Sequence, residues 1–352
     1  MEEKKKTARE IIEGYDGPPV RIMEVCGTHT HEIFRLGIRK LLPEQVELIS
    51  GPGCPVCVTQ VGFIDEAIYL ALERQVTICT FGDLVRVPGT NMSLAGVRER
   101  GAKIRIVYSP VDAKEYAKEH PKEQVTFLSV GFETTTPSAC LSVKKAREEG
   151  LTNYSILTAN KTMPQAYEAL KGSADIFLYP GHVNAITGTK LCEELAKEGV
   201  SGVVAGFTAK ELLTALAVAL ARFQEGRPFF VNCYPRVVTE NGSPQAQKLV
   251  EEMMEPCDSE WRGLGVIKGS GMRLQEEWSA FDARKKYKIP LIQGKANPAC
   301  RCGDVLQGKC KPSDCKVFGK VCTPQHPIGA CMVSGEGACS AYYMYGEAEK
   351  MK

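Results

Sequence analysis

The residues best suited to chemistry are thiols. Cys54-Pro55-Val56-Cys57 forms a CxxC in a loop marked by Gly51, Pro52 and Gly53. Two intervening residues let both sulfurs meet around one turn, where they can close a disulfide or supply half of a tetrahedral metal site. A helix starting at Cys54 would favour its thiolate through the positive end of the helix dipole. The bland alternative is an inert turn with two buried thiols. It accounts less well for the glycines and prolines that shape the loop. The chain has no second CxxC, which disfavours a zinc site of two such pairs. Upstream, Cys26-Gly27-Thr28-His29 sets a thiol beside an imidazole, a pairing that suits soft-metal ligation or thiolate activation. Its ordinary explanation is a small buried cysteine with an incidental neighbour. His31 is given no role.

Seven of the fifteen cysteines lie close together: Cys300, Cys302, Cys310, Cys315, Cys322, Cys331 and Cys339. The segment is rich in glycine and proline and poor in apolar periodicity. It is expected to need a metal or crosslinks to hold one shape. Four thiolates suit a 4Fe-4S cluster or a zinc ion. The compact bacterial ferredoxin spacing is absent, so spacing does not choose between them, and the extra cysteines leave room for a disulfide. Two other groups, Glu133 in Gly131-Phe132-Glu133-Thr134-Thr135 and His182 in Pro180-Gly181-His182-Val183, could hold a proton or orient a ligand. A helix-start carboxylate is an equal alternative for Glu133, and a plain loop residue for His182. Asp83 is a weaker candidate, since capping explains it. Cys79, Cys140, Cys192, Cys233 and Cys257 read as small hydrophobes.

These groups fall at the ends of short β-branched runs. Residues 21–25, 46–49, 76–80 and 103–107 read as strands, with helices at 63–74 and 91–100. A second set follows at 124–130, 154–159, 175–178 and 202–205, with helices at 138–149, 165–171, 190–198 and 210–224. Such alternation predicts parallel sheets with helices on their faces, and in open α/β sheets ligands sit at the carboxyl ends of strands. The expected fold class is α/β, with two Rossmann-like domains around a shared cleft. The first spans 1–115 and holds Cys26 and the CxxC; the second spans 116–240. A mostly helical, loop-rich cysteine domain follows over 241–352. Residues 108–121, with two prolines, are expected to cross between the α/β units, and such crossovers can make a domain discontinuous.

Composition narrows the function classes. A net charge of +2, from 44 basic and 42 acidic residues, gives no electrostatic case for nucleic acid or an anionic membrane. The N-terminus lacks an apolar signal-peptide core, and no apolar run is long enough to span a bilayer. A cytoplasmic location is therefore expected, where clustered cysteines more often bind metal or cycle redox states than form static disulfides. Neither a GxGxxG nor a P-loop is present, so no nucleotide is expected.

Several segments together resemble the HypD family of hydrogenase formation proteins over nearly the whole chain. They are Cys26 through Thr30, Gly51 through Cys57, Gly131 through Thr135, Pro180 through Val183, Cys322-Thr323-Pro324, Gly329 through Ser334 and Glu336 through Cys339. The resemblance implies two similar α/β domains around a cleft and a third domain with a 4Fe-4S cluster. It implies a scaffold that assembles the Fe(CN)2CO unit of NiFe hydrogenases with the small chaperone HypC and with HypE, which supplies cyanide. Carried onto this sequence, it makes Cys26 the iron ligand with His29 beside it, and Cys54 and Cys57 a redox dithiol. Cys300, Cys315, Cys322 and Cys339 become the cluster ligands, Cys302 and Cys331 a second redox pair, and Cys310 the spare. The implied electron route runs from the cluster through Cys302/Cys331 and Cys54/Cys57 to iron at Cys26, with Glu133 and His182 holding protons or orienting ligands. A soft thiolate beside an imidazole suits such iron, and thiol–disulfide exchange can deliver two electrons. One competing reading is a stand-alone, cluster-dependent thiol–disulfide oxidoreductase using the same cysteines. Another is a zinc-stabilised binding module without redox work.

Overall fold

The β-branched runs form strands. In the computed structural model, which describes residues 6–346, these are β1 (Val20–Glu24), β2 (Val46–Ser50), β3 (Thr77–Thr80), β4 (Ile104–Ile106), β5 (Val125–Gly131), β6 (Tyr154–Asn160), β7 (Ile176–Pro180), β8 (Ser201–Ala205) and β9 (Phe230–Asn232). One sheet has the order β2-β1-β7-β8-β9 and another β4-β3-β5-β6, and every neighbouring pair is parallel. Strands β5 to β8 are buried along their whole length, as parallel strands covered on both faces should be. Renumbered within each sheet, the order is 2-1-3-4 in both, with a fifth strand in the larger. This is the flavodoxin-type order of a doubly wound sheet, whose ligand crevice opens between the first and third strands. That crevice lies between β1 and β7 in the larger sheet and between β3 and β5 in the smaller.

The expected border at 115/116 cuts through the smaller sheet, whose strands all come from 77–160. The larger sheet is discontinuous: β1 and β2 precede the smaller sheet and β7 to β9 follow it. Pairing explains this. Ile22 and Met23 of β1 are fully buried, so the strand must be central; β2 covers one edge and β7 the other, Met23 standing opposite both Ile49 and Phe177. Residues 108–121 do not cross between units. They form the helix Pro110–Glu119, begun by a Ser109/Asp112 capping box with Pro110 in its first turn, and it packs on β5. Proline in that position starts a helix rather than breaking it.

The region after 241 also departs from expectation. A single helix, Pro244–Met253, leads into an antiparallel hairpin of β10 (Met254–Trp261) and β11 (Gly265–Leu274). Alternation is present in β10, but its less exposed positions include Cys257 and Ser259 rather than β-branched residues, so the strand signal is weak. The hairpin leans on β6 and reaches the CxxC loop, where the Arg262 N–H donates to the Val58 carbonyl at 2.8 Å. The buried Lys161 ammonium fastens it, donating to Ser259 Oγ at 2.6 Å and the Glu260 carbonyl at 2.7 Å. Burial pushes Lys161 down to about 7.

The cysteine-rich tail packs onto the core of the larger sheet. All fifteen cysteines are free thiols. Cys302, Leu306, Cys322, Cys331, Met332 and Cys339 share one buried apolar cluster with Met23, Val25, Ile49, Cys54 and Cys57. The closing helix Ala338–Tyr345 lies on the helix Gly27–Arg35, with Tyr342 edge-on to Phe34 at 4.6 Å. Among the described residues no helix is long and apolar enough to cross a membrane.

A buried carboxylate ties these parts together. Glu24, at the end of β1, accepts from Arg39 Nη2 at 2.6 Å, Thr30 Oγ1 at 2.7 Å and Ser50 Oγ at 3.1 Å. Removing one partner of a buried ion pair costs about 3–5 kcal/mol. Arg39→Ala is expected to lose that much in urea unfolding, whereas Arg9→Ala, from an exposed pair with Glu13, is expected to be close to neutral.

Candidate functional site

Cys26 leaves β1 in extended conformation and caps the helix Gly27–Arg35. The loop after β2 presses directly against it. The Gly27 N–H donates to the Gly53 carbonyl at 2.9 Å. A Cβ on Gly53 would stand 2.1 Å from Cys26 N and 2.3 Å from its Cα, so only glycine lets the two loops meet. The next residue, Cys54, caps the short helix Pro55–Val58, with Pro55 in its first turn, and Cys54 Sγ accepts the Cys57 N–H at 3.3 Å. Cys26, Cys54 and Cys57 are all buried. The tail enters here too, since a Cβ on Gly27 would lie 2.7 Å from Glu336 Cβ and 3.1 Å from Cys54 Cβ.

His29, two residues into that helix, is fully buried. Its Nε2 faces the Gly206 carbonyl at 3.1 Å and its Nδ1 has no partner. The ring lies 4.8 Å from Phe207, on which His182 also stacks, at 3.9 Å. Burial pushes His29 down to about 4. It also lowers His182, against the opposing pull of Glu336. Both imidazoles are therefore neutral near pH 7, the form that ligates metal. Glu336 accepts the Thr28 hydroxyl at 2.6 Å. Cys26 and His182 thus follow the two strands that flank the crevice of the larger sheet.

Glu133 follows β5, on the crevice of the smaller sheet. Its Oε1 accepts the Met163 N–H at 2.8 Å, at the start of the helix Met163–Ala169, and its buried Oε2 has no partner. Burial raises it to about 7. Tyr167, on that helix, has a buried, unpartnered hydroxyl that lies near both Glu133 and Cys26. The structure therefore brings Cys26, His29, Cys54, Cys57 and His182 together, with Tyr167 near both Cys26 and Glu133. Asp83 stays exposed in the turn Gly82–Arg86. Tyr167 and Phe207 were not singled out in the sequence, and Glu336 stood only within a segment that carries the resemblance, without a role of its own. Tyr167 reads as an ordinary core position, and Glu336 is placed only by the folding of the tail.

The thiols form a continuous line. Cys57 is within hydrogen-bonding reach of Cys54 and of Cys331; Cys331 of Cys302 and Cys339; and Cys302 of Cys300. Cys300, Cys302, Cys315, Cys322 and Cys339 line one small cavity, together with Val305, Phe318 and Met332. Gly329 closes its wall, where a Cβ would stand 2.5 Å from Cys300 Sγ. Among the described residues no three His, Cys, Asp or Glu side chains converge closely enough to hold a metal ion. Soft thiols around an apolar space, with the Ile328 N–H on Cys322 Sγ at 3.4 Å, are a donor set that fits an iron–sulfur cluster. Cys302 occupies a double position, in the cavity wall and beside Cys331. Cys310 lies in a different hollow with Arg21 and Lys309. Burial pushes Cys26 up to about 12 and Cys57 well above the ordinary thiol range; contact with Cys302, ahead of burial, raises Cys300 and Cys331. These are neutral thiols until a cation draws off the proton.

The family model for HypD, described as the hydrogenase formation hypA family, matches residues 2–346. The chain belongs to the HypD family. Among relatives, the hydrogenase maturation factor HypD of Cupriavidus necator is 42% identical over 347 residues, covering 95% of this chain and 92% of that protein. That of Rhodobacter capsulatus is 44% identical over 340 residues, covering 94% and 90%. That of Escherichia coli is 43% identical over 339 residues, covering 94% and 90%. The stretch matched by the family model includes the two crevices, the CxxC and every tail cysteine.

The Glu133 environment carries a pH signature. Between its ordinary value of 4.5 and about 7 the folded state holds a proton that the unfolded state releases. Stability therefore falls as pH rises through that window. Glu133→Gln is expected to remove this slope and to raise stability at pH 8 by up to about 3 kcal/mol, read from denaturant midpoints across pH.

Proposed function

We propose that this chain is the scaffold on which the Fe(CN)2CO unit of NiFe hydrogenases is assembled, with HypC and HypE as partners and iron held at Cys26. What carries this reading is the unbroken thiol line from Cys54 through Cys57 and Cys331 to Cys302 in the cavity wall, beginning beside Cys26 at a sheet crevice. Membership of the HypD family, whose named relatives are hydrogenase maturation factors, supports it. Cys300, Cys315, Cys322 and Cys339 would hold a 4Fe-4S cluster, which when bound supplies electrons one at a time.

The remaining steps belong to the chain's own residues. Cys302 and Cys331 gain two electrons and two protons when a disulfide between them opens. Exchange through a mixed disulfide at Cys57 then passes the same pair to Cys54/Cys57. Cys26 must lose its proton to bind iron cargo, and its burial holds that proton until positive charge arrives. His29 Nδ1 and Glu133 Oε2, both buried and unpartnered, are the acceptors placed to take up protons.

Anaerobically purified protein is expected to contain about four iron and four acid-labile sulfide per chain. In complex with HypC it should show infrared bands of bound cyanide and CO. Cys26→Ala should lose those bands while keeping the iron–sulfur complement; full retention of the bands sinks the assignment of Cys26. Cys331→Ser should keep both the iron–sulfur complement and Cys26, yet leave the Cys54–Cys57 disulfide resistant to reduction, as read by thiol alkylation and mass. Cyanide- and CO-free protein that instead reduces a partner disulfide over many turnovers would favour the oxidoreductase reading.

A further inference from the structure

The wall of the cysteine cavity has a second face, bordering an open groove of about 740 Å³. Arg86, Arg262, Lys295 and His326 line this groove, and no aspartate or glutamate does. Asp65 lies beneath the rim, where it accepts the Thr90 N–H at 2.8 Å and the Thr90 hydroxyl at 2.5 Å. Arg86 gives one N–H to the Pro324 carbonyl at 2.7 Å. Arg262 gives its Nε to the Thr59 carbonyl at 3.0 Å, while its Nη2 is buried without a partner. Lys295 is exposed and makes no ion pair among the described residues. Lys316 and Lys320, on the same stretch of chain as Cys315 and Cys322, are exposed as well.

Groove and cavity share structure. Pro298 and Ile328 line the groove; the first lies two residues from Cys300, and the N–H of the second reaches Cys322 Sγ. Arg262 is a cation acting on Cys300. The chain as a whole carries a net charge of only +2, so a lining with Arg86, Arg262 and Lys295 and without acids is a local feature. The groove is open rather than enclosed. Its charge is complementary to a surface bearing carboxylates, and such complementarity governs encounter rate and orientation.

We propose that this groove docks an acidic one-electron carrier protein that reduces the cluster in the adjoining cavity. The inference rests on the proposed function, because it needs a cluster there. In each encounter one electron leaves the carrier and enters the cluster; no bond changes and no proton moves.

The probe is a strongly acidic 2Fe-2S ferredoxin. Calorimetry with the oxidised ferredoxin at low salt is expected to show binding that weakens as salt rises. Arg86→Glu combined with Lys295→Glu should raise Kd at least about 10-fold and flatten the salt dependence. Lys295→Glu alone should act in the same direction. That variant does not threaten folding, since Lys295 is tied only by its backbone N–H to Thr90 Oγ1 at 2.8 Å. Lys248→Glu, on the exposed helix Pro244–Met253 outside the groove, should change nothing. Bleaching of the cluster by reduced ferredoxin should slow by the same factor in the groove variants, while bleaching by dithionite stays constant. Unchanged Kd in the groove variants, or equal loss with Lys248→Glu, overturns the proposal. Protein lacking iron and sulfide would sink the scaffold reading instead, and the calorimetric arm would still decide whether the groove binds the acidic protein.

Discussion

The site depends on two loops lying backbone against backbone. Gly53 leaves no room for even a methyl group beside Cys26, and Gly27 leaves none beside Glu336. These contacts place a strand-end thiol, a dithiol turn and the tail within one side chain of each other. Side chains between the loops would separate them by several ångströms, and thiol chemistry does not reach across such gaps. The Glu24–Arg39 pair beneath holds the two strands and the first helix in the register that makes the approach possible.

Burial does the rest. Cys57 and Cys331 sit in an apolar cluster continuous with the core of the larger sheet, so they gain packing energy as small hydrophobes while remaining protonated. The same surroundings hold His29 neutral and Glu133 near its midpoint at neutral pH. The buried imidazole therefore carries no charge at rest, and the Glu133 carboxyl only part of one. Arrival of a cation changes the balance of every group at once, because electrostatic interactions are strong where water is absent.

The local features were legible in the sequence, and the long-range ones were not. Strand ends bearing Cys26, Cys54, Glu133 and His182 were visible because alternation and loop glycines are local signals. A discontinuous α/β domain was among the expectations, but which strands leave and return was hidden, because pairing of Met23 with Phe177 leaves no mark on neighbouring residues. The hairpin escaped because Cys257 and Ser259 take its less exposed positions. The tail reads in sequence as a segment that needs a metal or crosslinks; that its apolar residues also bury against residues nearly 300 positions away is a contact no spacing encodes. Tyr167 was missed, and Glu336 left without a role, for the same reason: each matters only for what the fold sets opposite it.

The inserted sheet also sets an order of assembly. The strands of the smaller sheet follow one another within residues 77–160, so that sheet can form from a contiguous stretch as it leaves the ribosome. The larger sheet cannot. After β1 and β2 pair, the second edge of β1 stays open until β7 is made, and closing that long loop is slow. An open apolar edge is a hazard for wrong pairing throughout that interval. Cys26 and His182 come to flank their crevice only when it ends, so the thiol meets its imidazole late in folding, after the inserted sheet is already in place.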